Sequence, residues 1–539
     1  MRIPVDLRRF PWIRRLTADY AYNFPAVAPF FSGDPVDRAA CAEAIARTQK
    51  HPRGRGEIAS IVRAQQERRG APPRALEAAA RLVDTDTVAV VTGQQACLFG
   101  GPLFTLLKAL TALKLADQIS RVHRVPAVAV FWIDAEDHDW DEVRGCTVLD
   151  EGLTPRTIAL PPRTADDPAP IAAVRLDESV LLAIAELERT LPATEFRPQL
   201  LAELRQAYVP GVGMAEAFGG WLDRLLGARG LVVFDASDAA SKPLAGAVFA
   251  RELTMPGETA KRAAAAGSAL LARGYHSQVQ AQEGHLALFH LDGARRPIRQ
   301  QDGHFMVGER SFAPQALVQE AVDHPAGFSP NVLLRPIVQD TIFPTVCYVA
   351  GPNELAYLGQ LRGVYEHFGV PMPLMYPRAT ATLLDSAALR FLHKHELPLE
   401  ALQPQDEAAL NALLAAQVPP IVEESFAGAS RTIETQMTRV VQTIGAVDPT
   451  LEGAASSTLT RMQHDLQTLR GKMIQAAKRR DETLRRQYMR TRALAFPQGQ
   501  AQERAIGLVS FLNQYGPALL ERLEEELPLD LGHHWIVSI

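Results

Sequence analysis

The chain has 539 residues, 47% of them hydrophobic and 22% charged, with a formal net charge of −5. That balance belongs to an ordinary water-soluble protein. At this length one hydrophobic core does not suffice, so two or three domains are expected. The charge gives no reason to expect nucleic acid or a membrane surface as partner, and no apolar run reaches the about 18 residues of a membrane span. The N-terminal stretch MRIPVDLRRFPWIRRL is basic and lacks the apolar core of a secretory leader. Cys41, Cys97, Cys146 and Cys347 form no CxxC pair and no zinc-ligand spacing, as expected of buried thiols in a reducing cytoplasm.

Residues 1–85 read as helices and loops leading into the first strand. Residues 87–92 (TVAVVT) are an apolar strand followed by Gly93-Gln94-Gln95, and Cys97 through Pro102 then open a helix over 102–119. Pro102 suits the first helical turn, and the helix start offers free N–H groups as an anion site, with Lys108 about two turns in. Residues 125–133 (VPAVAVFWI) form a second strand, which ends in the acidic burst DAEDHDWDE. Continuous apolar strands of this kind fit a parallel sheet covered on both faces, and ligands bind outside the carboxyl ends of such strands. A β-α-β unit over roughly 86–150 therefore presents two polar strand ends at one edge.

Residues 151–215, Pro-rich and then helical, read as an insertion between core strands. Residues 231–235 (LVVFD) add a strand, with a helix around 239–272. Residues 285–310 alternate and contain Asp-Gly at 292–293 and 302–303, a hairpin signal that predicts a small antiparallel insertion. The stretch 328–378 returns to the core. The last third is helical: Phe426, Ile433, Met437, Val440 and Ile444 fall on one heptad seam, and Leu459, Met462, Leu466, Leu469 and Met473 on another. Two heptad helices with a short loop at 445–449 predict an antiparallel coiled-coil hairpin. The basic stretch 478–492 reads as a solvated face, with charge pairing or phosphate binding as alternatives.

The segments TGQQACLFGGPLFTLLKALTALKLA, FWIDAEDHDWDEV and FSPNVLLRPIVQDTIFPTVCYVAGPNELAYLGQL, followed by YEHFGVPMPLMYPR, closely resemble the bacillithiol biosynthesis cysteine-adding enzymes. The resemblance covers essentially the whole chain. It implies an α/β, Rossmann-like core of nucleotidyl-transferase type over 1–383, with insertions at about 151–220 and 273–327. A helical coiled-coil domain over 384–500 and a segment over 501–539 that returns to the core complete it. It further implies a cytoplasmic ligase that joins cysteine to glucosaminyl-malate through an amide bond in the last step of bacillithiol biosynthesis, and a homodimer formed through the coiled coil. Enzymes of related fold use HIGH and KMSKS motifs to make adenylates; neither occurs here, and TGQQ stands where the first would lie. There is no Walker A or GxGxxG pattern, so ATP is expected of a ligase without any motif that shows it, and a metal is left open.

Amide formation needs a polarised carboxylate, a deprotonated amine and stabilisation of developing negative charge. His138, flanked by Asp137 and Asp139, is the expected general base; its alternative is a loop histidine that holds a turn. Thr92, Gly93, Gln94 and Gln95 supply donors, and Asp134 and Glu136 carboxylates at the next strand end. Asn331 and Arg335 suit an acidic substrate, Arg335 alternatively pairing with a core aspartate. Gly351 and Glu354 open a third polar loop, with Tyr357 packing one turn later. Cys97 is either a nucleophile or an idle thiol. Two other readings compete: a nucleotidyl-transferase-like enzyme acting on another amine, and a non-catalytic coiled-coil scaffold. Three polar loops on one sheet edge argue against the scaffold.

Overall fold

The computed structural model describes residues 2–163, 169–280, 285–352, 354–416, 420–480 and 482–539. It divides into two compact units, Met1–Leu383 with Gln502–Ile539, and Leu384–Ala501.

The first unit is built on five parallel strands: β2 (Val88–Gln95), β3 (Ala127–Asp134), β6 (Val232–Asp235), β12 (Thr345–Ala350) and β13 (Leu374–Pro377). They lie in the order β13-β12-β2-β3-β6. Their apolar runs are buried almost throughout, as both faces of a covered parallel sheet require. Helix α1 (Leu103–His123) crosses from β2 to β3 and buries Leu103, Leu106, Leu107, Leu110 and Leu113. Because all five strands run the same way, their carboxyl ends share one edge.

The 285–310 hairpins form as expected: β7 (His285–Leu291), β8 (Arg295–Gln301), β9 (His304–Val307) and β10 (Arg310–Phe312) are antiparallel. At the β8–β9 turn Asp302 (φ 49°) and Gly303 (φ 78°) both occupy the left-handed region, which Asp-Gly tolerates. The sheet takes a fifth strand, β11 (Phe328–Pro330), paired with β7. The start of the stretch expected in the core thus belongs to the insertion. A second small hairpin, β4 (Gly145–Leu149) with β5 (Pro155–Ala159), joins the β3 end to the helices that follow.

Two expectations change. The helix expected around 239–272 is three pieces, 239–245, Gly246–Thr254 and Glu258–Ala272. Pro256 and Gly257 (φ 83°) break it. The N-terminal stretch read as helix and loop contains β1 (Arg2–Asp6), which pairs with β15 (His533–Ser538) from Arg2↔Val537 to Asp6↔His533. With β14 (Thr380–Leu384) these make a three-stranded sheet that ties the last residues into the first unit.

In the second unit α2 (Pro420–Ile444) and α3 (Leu451–Arg480) form the hairpin. Glu423, near the start of α2, pairs with Arg470, far along α3, at 3.0 Å, as antiparallel arms require. Phe426, Ile433, Met437, Ile444, Leu459, Leu466 and Met473 are half-buried. Val440, Met462 and Leu469, expected on the seam, are exposed, because two helices cover only one side of each other. In the basic stretch, Arg485 pairs with Glu407 and Arg490 with Asp385, so charge pairing takes up part of it. The side chains of Lys478, Arg479 and Arg480, and all of Asp481, lie outside the described residues.

His534 of β15 is buried, its Nε2 2.8 Å from the Thr382 hydroxyl of β14. Burial, partly opposed by Glu503, pushes its pKa down to about 4. The unfolded chain binds this proton near pH 6.5, so between those values the unfolded state holds more protons and stability falls as the pH falls. Wild-type protein is expected to lose about 2 kcal/mol more than His534→Gln between pH 7 and pH 5, read from urea unfolding at both pH values. Parallel losses would reject the assignment.

Candidate active site

The carboxyl edge of the parallel sheet opens into a cavity of about 650 Å³. β2 brings Gly93, Gln94 and Gln95, and β3 brings Trp132 and Asp134, two residues apart on one face. Gly351 and Glu354 follow β12, while Asn331 and Arg335 follow β11. Gly93 is needed for its lack of a side chain: a Cβ there would lie 2.9 Å from the Trp132 carbonyl oxygen.

Lys108 ties two of these strand ends together. From the second turn of α1 its ammonium donates to the Gly93 carbonyl (2.8 Å) and Gln94 Oε1 (3.1 Å), and pairs with Glu354 Oε2 (2.8 Å). Its side chain is 4% exposed. Burial pushes the lysine pKa down, with Glu354 acting against that shift. Burial would raise Glu354, but the Lys108 charge and the Gly351 N–H outweigh it and hold the carboxyl below its usual range.

The opposite wall is acidic. Gln95 Nε2 donates to Asp137 (2.8 Å) and Glu142 (3.0 Å), joining the β2 and β3 ends. Arg335 is buried, its Nε 3.7 Å from Asp134, and it donates to Gln339 (3.1 Å) and Tyr357 (3.3 Å). Tyr357, expected only to pack, therefore also orients this guanidinium. Both sequence readings of Arg335 meet here, since it pairs with Asp134 and lines the cavity. Arg295, at the start of β8, lies 4.0 Å over the Phe289 ring and donates to Ser329 and Pro330. Its Nη1 is 3.7 Å from Asp137. Burial raises the Asp134 pKa; Arg335 opposes the shift and Asp137 adds to it.

Gly93, Gln94, Gln95, Asp134, Asp137, Asn331, Arg335, Gly351 and Glu354 thus meet in one cavity wall. Four other candidates do not. The His138 side chain is 49% exposed beyond the wall. Its Nδ1 lies 3.3 Å from Arg295 Nη1 and 3.4 Å from Asp137 Oδ1. Asp139 caps the turn Trp140–Val143 by accepting from the Glu142 N–H. Thr92 is buried in the sheet and donates to the Val349 carbonyl oxygen. Glu136 is buried in an ion pair with Lys242, which also donates to Phe328.

The anion site expected at the α1 start is closed. The Leu103 N–H donates to the Ile506 carbonyl (2.9 Å), and Leu508 donates back to Gly101 (2.9 Å). The C-terminal segment thereby covers that helix end and brings Arg504 to the cavity. Cys97 is buried outside the wall, and burial pushes its thiol up to about 12, which opposes the nucleophile reading. Among the described residues no three His, Cys, Asp or Glu side chains are placed to share a metal ion. Glu142, Arg295, Arg378 and Arg504 line the cavity without having been expected there. Glu142 lay within the acidic burst; Arg504, some 400 residues distant in sequence, gave no local signal.

Lys108→Met is expected to destabilise the fold by about 3 kcal/mol, because it strands the Glu354 carboxylate. Adding Glu354→Gln should recover most of that loss in a double-mutant cycle of denaturant unfolding. Additive losses would dissolve the pair.

Residues 4–379 match the family model for the Bacillithiol biosynthesis BshC N-terminal Rossmann-like domain, and residues 381–539 that for its C-terminal coiled-coil domain. A Salinibacter ruber protein named "putative cysteine ligase BshC" is 32% identical, covering 99% of this chain and 98% of its own. Proteins of the same name from Symbiobacterium thermophilum and Koribacter versatilis are 34% and 32% identical, over 89% and 96% of this chain and 88% and 96% of theirs. With both models matched end to end over a Rossmann-like sheet and a coiled-coil hairpin, the chain belongs to the bacillithiol biosynthesis BshC family.

Proposed function

We propose that this protein is a cytoplasmic ligase that joins the carboxyl group of cysteine to the amine of glucosaminyl-malate, the last step of bacillithiol biosynthesis. The observation that carries this reading is the mixed wall of the cavity, where carboxylates and cations face each other in a space large enough for two small polar substrates. The names of the relatives support the cysteine half. The dicarboxylate half rests on the arginines. No helix among the described residues is long and apolar enough to cross a membrane.

The amine must lose a proton as its nitrogen attacks the carboxyl carbon. Asp134 is placed for this: it lies in the wall, and burial raises its proton affinity toward that needed of a base. We assign the base to Asp134 in place of His138, which stands outside. Asp137 and Glu142, joined by Gln95, would receive an ammonium group, and Arg335 and Arg295 would stabilise negative charge that grows at the attacked carbonyl. Departure of a carboxyl oxygen requires activation. We propose ATP as its source; when bound it would turn that oxygen into a leaving group. The guanidinium groups of the wall suit phosphoryl oxygens, whereas the start of α1, whose Leu103 N–H is given to Ile506 and Thr105 N–H to Pro102, suits them less.

Asp134→Asn is expected to lower kcat by about 10²-fold, and His138→Ala by less than about tenfold, in a mass-spectrometric assay of product from cysteine, glucosaminyl-malate, ATP and Mg²⁺. Wild-type turnover should rise with pH as the Asp134 carboxyl ionises, and this limb should vanish in Asp134→Asn. The reverse ranking of the two variants would return the base to His138. Product formed equally without ATP would remove the nucleotide.

The homodimer is proposed on the exposed Val440, Met462 and Leu469 of the hairpin, which a second copy would cover. Light scattering should give twice the chain mass for wild type and the single-chain mass for the double variant Val440→Glu, Leu469→Glu. A monomeric wild type would reject this assembly.

A further inference from the structure

Five cations line the cavity: Lys108, Arg295, Arg335, Arg378 and Arg504. Four are already engaged by the protein. Lys108 is held by Gly93, Gln94 and Glu354, Arg335 by Gln339, Tyr357 and Asp134, and Arg295 by Ser329, Pro330 and Asp137. Arg378 is buried, donating to the Ala379 carbonyl oxygen (2.9 Å) and pairing with Glu503 at 2.7 Å. Arg504 differs: among the described residues it has no hydrogen bond and no ion pair, only the face of the Phe104 ring, 5.6 Å from its guanidinium carbon.

The surroundings make that charge more than a loose surface arginine. Arg378 lies over the same Phe104 ring at 5.4 Å, so two guanidinium groups share one aromatic side chain. Glu503 compensates the first, using its other oxygen to accept from the Ala381 N–H. The second has no such partner. Its backbone is fixed, because the adjoining Ile506 and Leu508 pair with Leu103 and Gly101 at the α1 start. A repulsive cation pair on a rigid frame, with one charge held by no hydrogen bond or ion pair, balanced only at longer range by Glu503, Glu142 and Glu354, and open to the cavity, is a binding site for an anion.

We propose that Arg504 is a specificity-determining residue of this cavity, which donates to the oxygens of an anionic group on the ligand, a carboxylate or a phosphoryl group. The assignment rests on the cavity being the substrate site proposed above, but its test does not need turnover. Full-length wild type, Arg504→Gln, Arg504→Lys and, as a control, Arg156→Gln on exposed β5 are titrated calorimetrically with malate alone and with inorganic phosphate alone. Wild type and the control are expected to bind at least one anion equally. Arg504→Gln should bind it about tenfold or more weakly, and Arg504→Lys should fall between. Malate alone affected identifies a carboxylate arm; phosphate alone, a phosphoryl group; both, a general oxyanion site. Arg504→Gln binding like wild type, or wild type binding neither anion, overturns the proposal. Unchanged thermal unfolding in Arg504→Gln is expected, since the side chain is exposed. A protein that binds malate through Arg504 yet makes no cysteine adduct would refute the ligase reading and leave this site standing.

Discussion

The cavity depends on one buried ammonium. Lys108 comes from α1, but its three partners come from the ends of β2 and β12. A parallel sheet sets its strands side by side without fixing the loops that leave them. Here a single point charge with three donors does so. A lysine this deep forfeits hydration that only near-ideal partners return, so Gly93, Gln94 and Glu354 have little freedom to move independently. An arginine could not replace it, since its planar fork cannot address three acceptors arranged around one nitrogen.

Around that fixed floor the charges are deliberately frustrated. Burial and Asp137 raise the cost of ionising Asp134, while Arg335 and Arg295 lower it. Pure hydrophobic packing would be more stable than such an arrangement, so its retention at the open edge of the sheet is best understood as chemistry prepared in advance. The contrast with Glu136 and Lys242 is informative. Glu136 comes from the same acidic burst, but its pair with Lys242 is sealed and self-sufficient, and it fastens the end of β3 to β11 rather than facing the ligand space.

Much of this was legible in the sequence because it is local. Apolar runs ending in Gly93-Gln94-Gln95 and in Asp134 declare buried parallel strands with polar ends, and the parallel edge then brings them together. The heptads and the two Asp-Gly turns were equally direct. What escaped depends on distant segments. Arg2–Asp6 is a strand only because residues 533–538 lie beside it. The start of α1 reads as an anion site in sequence, but its Leu103 N–H is given to the Ile506 carbonyl and Leu508 donates to Gly101 just before it. His138 lies outside the cavity lining for a finer reason: neighbours in sequence at a strand end need not point the same way, and Asp137 lines the cavity while His138 sits beside Arg295.

The C-terminal segment connects these observations. By closing the α1 start it removes the phosphate cradle that Rossmann-like folds commonly place there. By the same stroke it carries Glu503 to Arg378 and Arg504 to the cavity. Backbone dipoles are thereby exchanged for side-chain cations a short way along the same wall. Backbone N–H groups bind whatever fits a fixed nest, whereas guanidinium groups select planar oxyanions and do so through residues that substitution can tune. With that helix start closed, the Arg504 charge over Phe104, free of any hydrogen bond or ion pair among the described residues, is where the electrostatics of this wall would direct an anion.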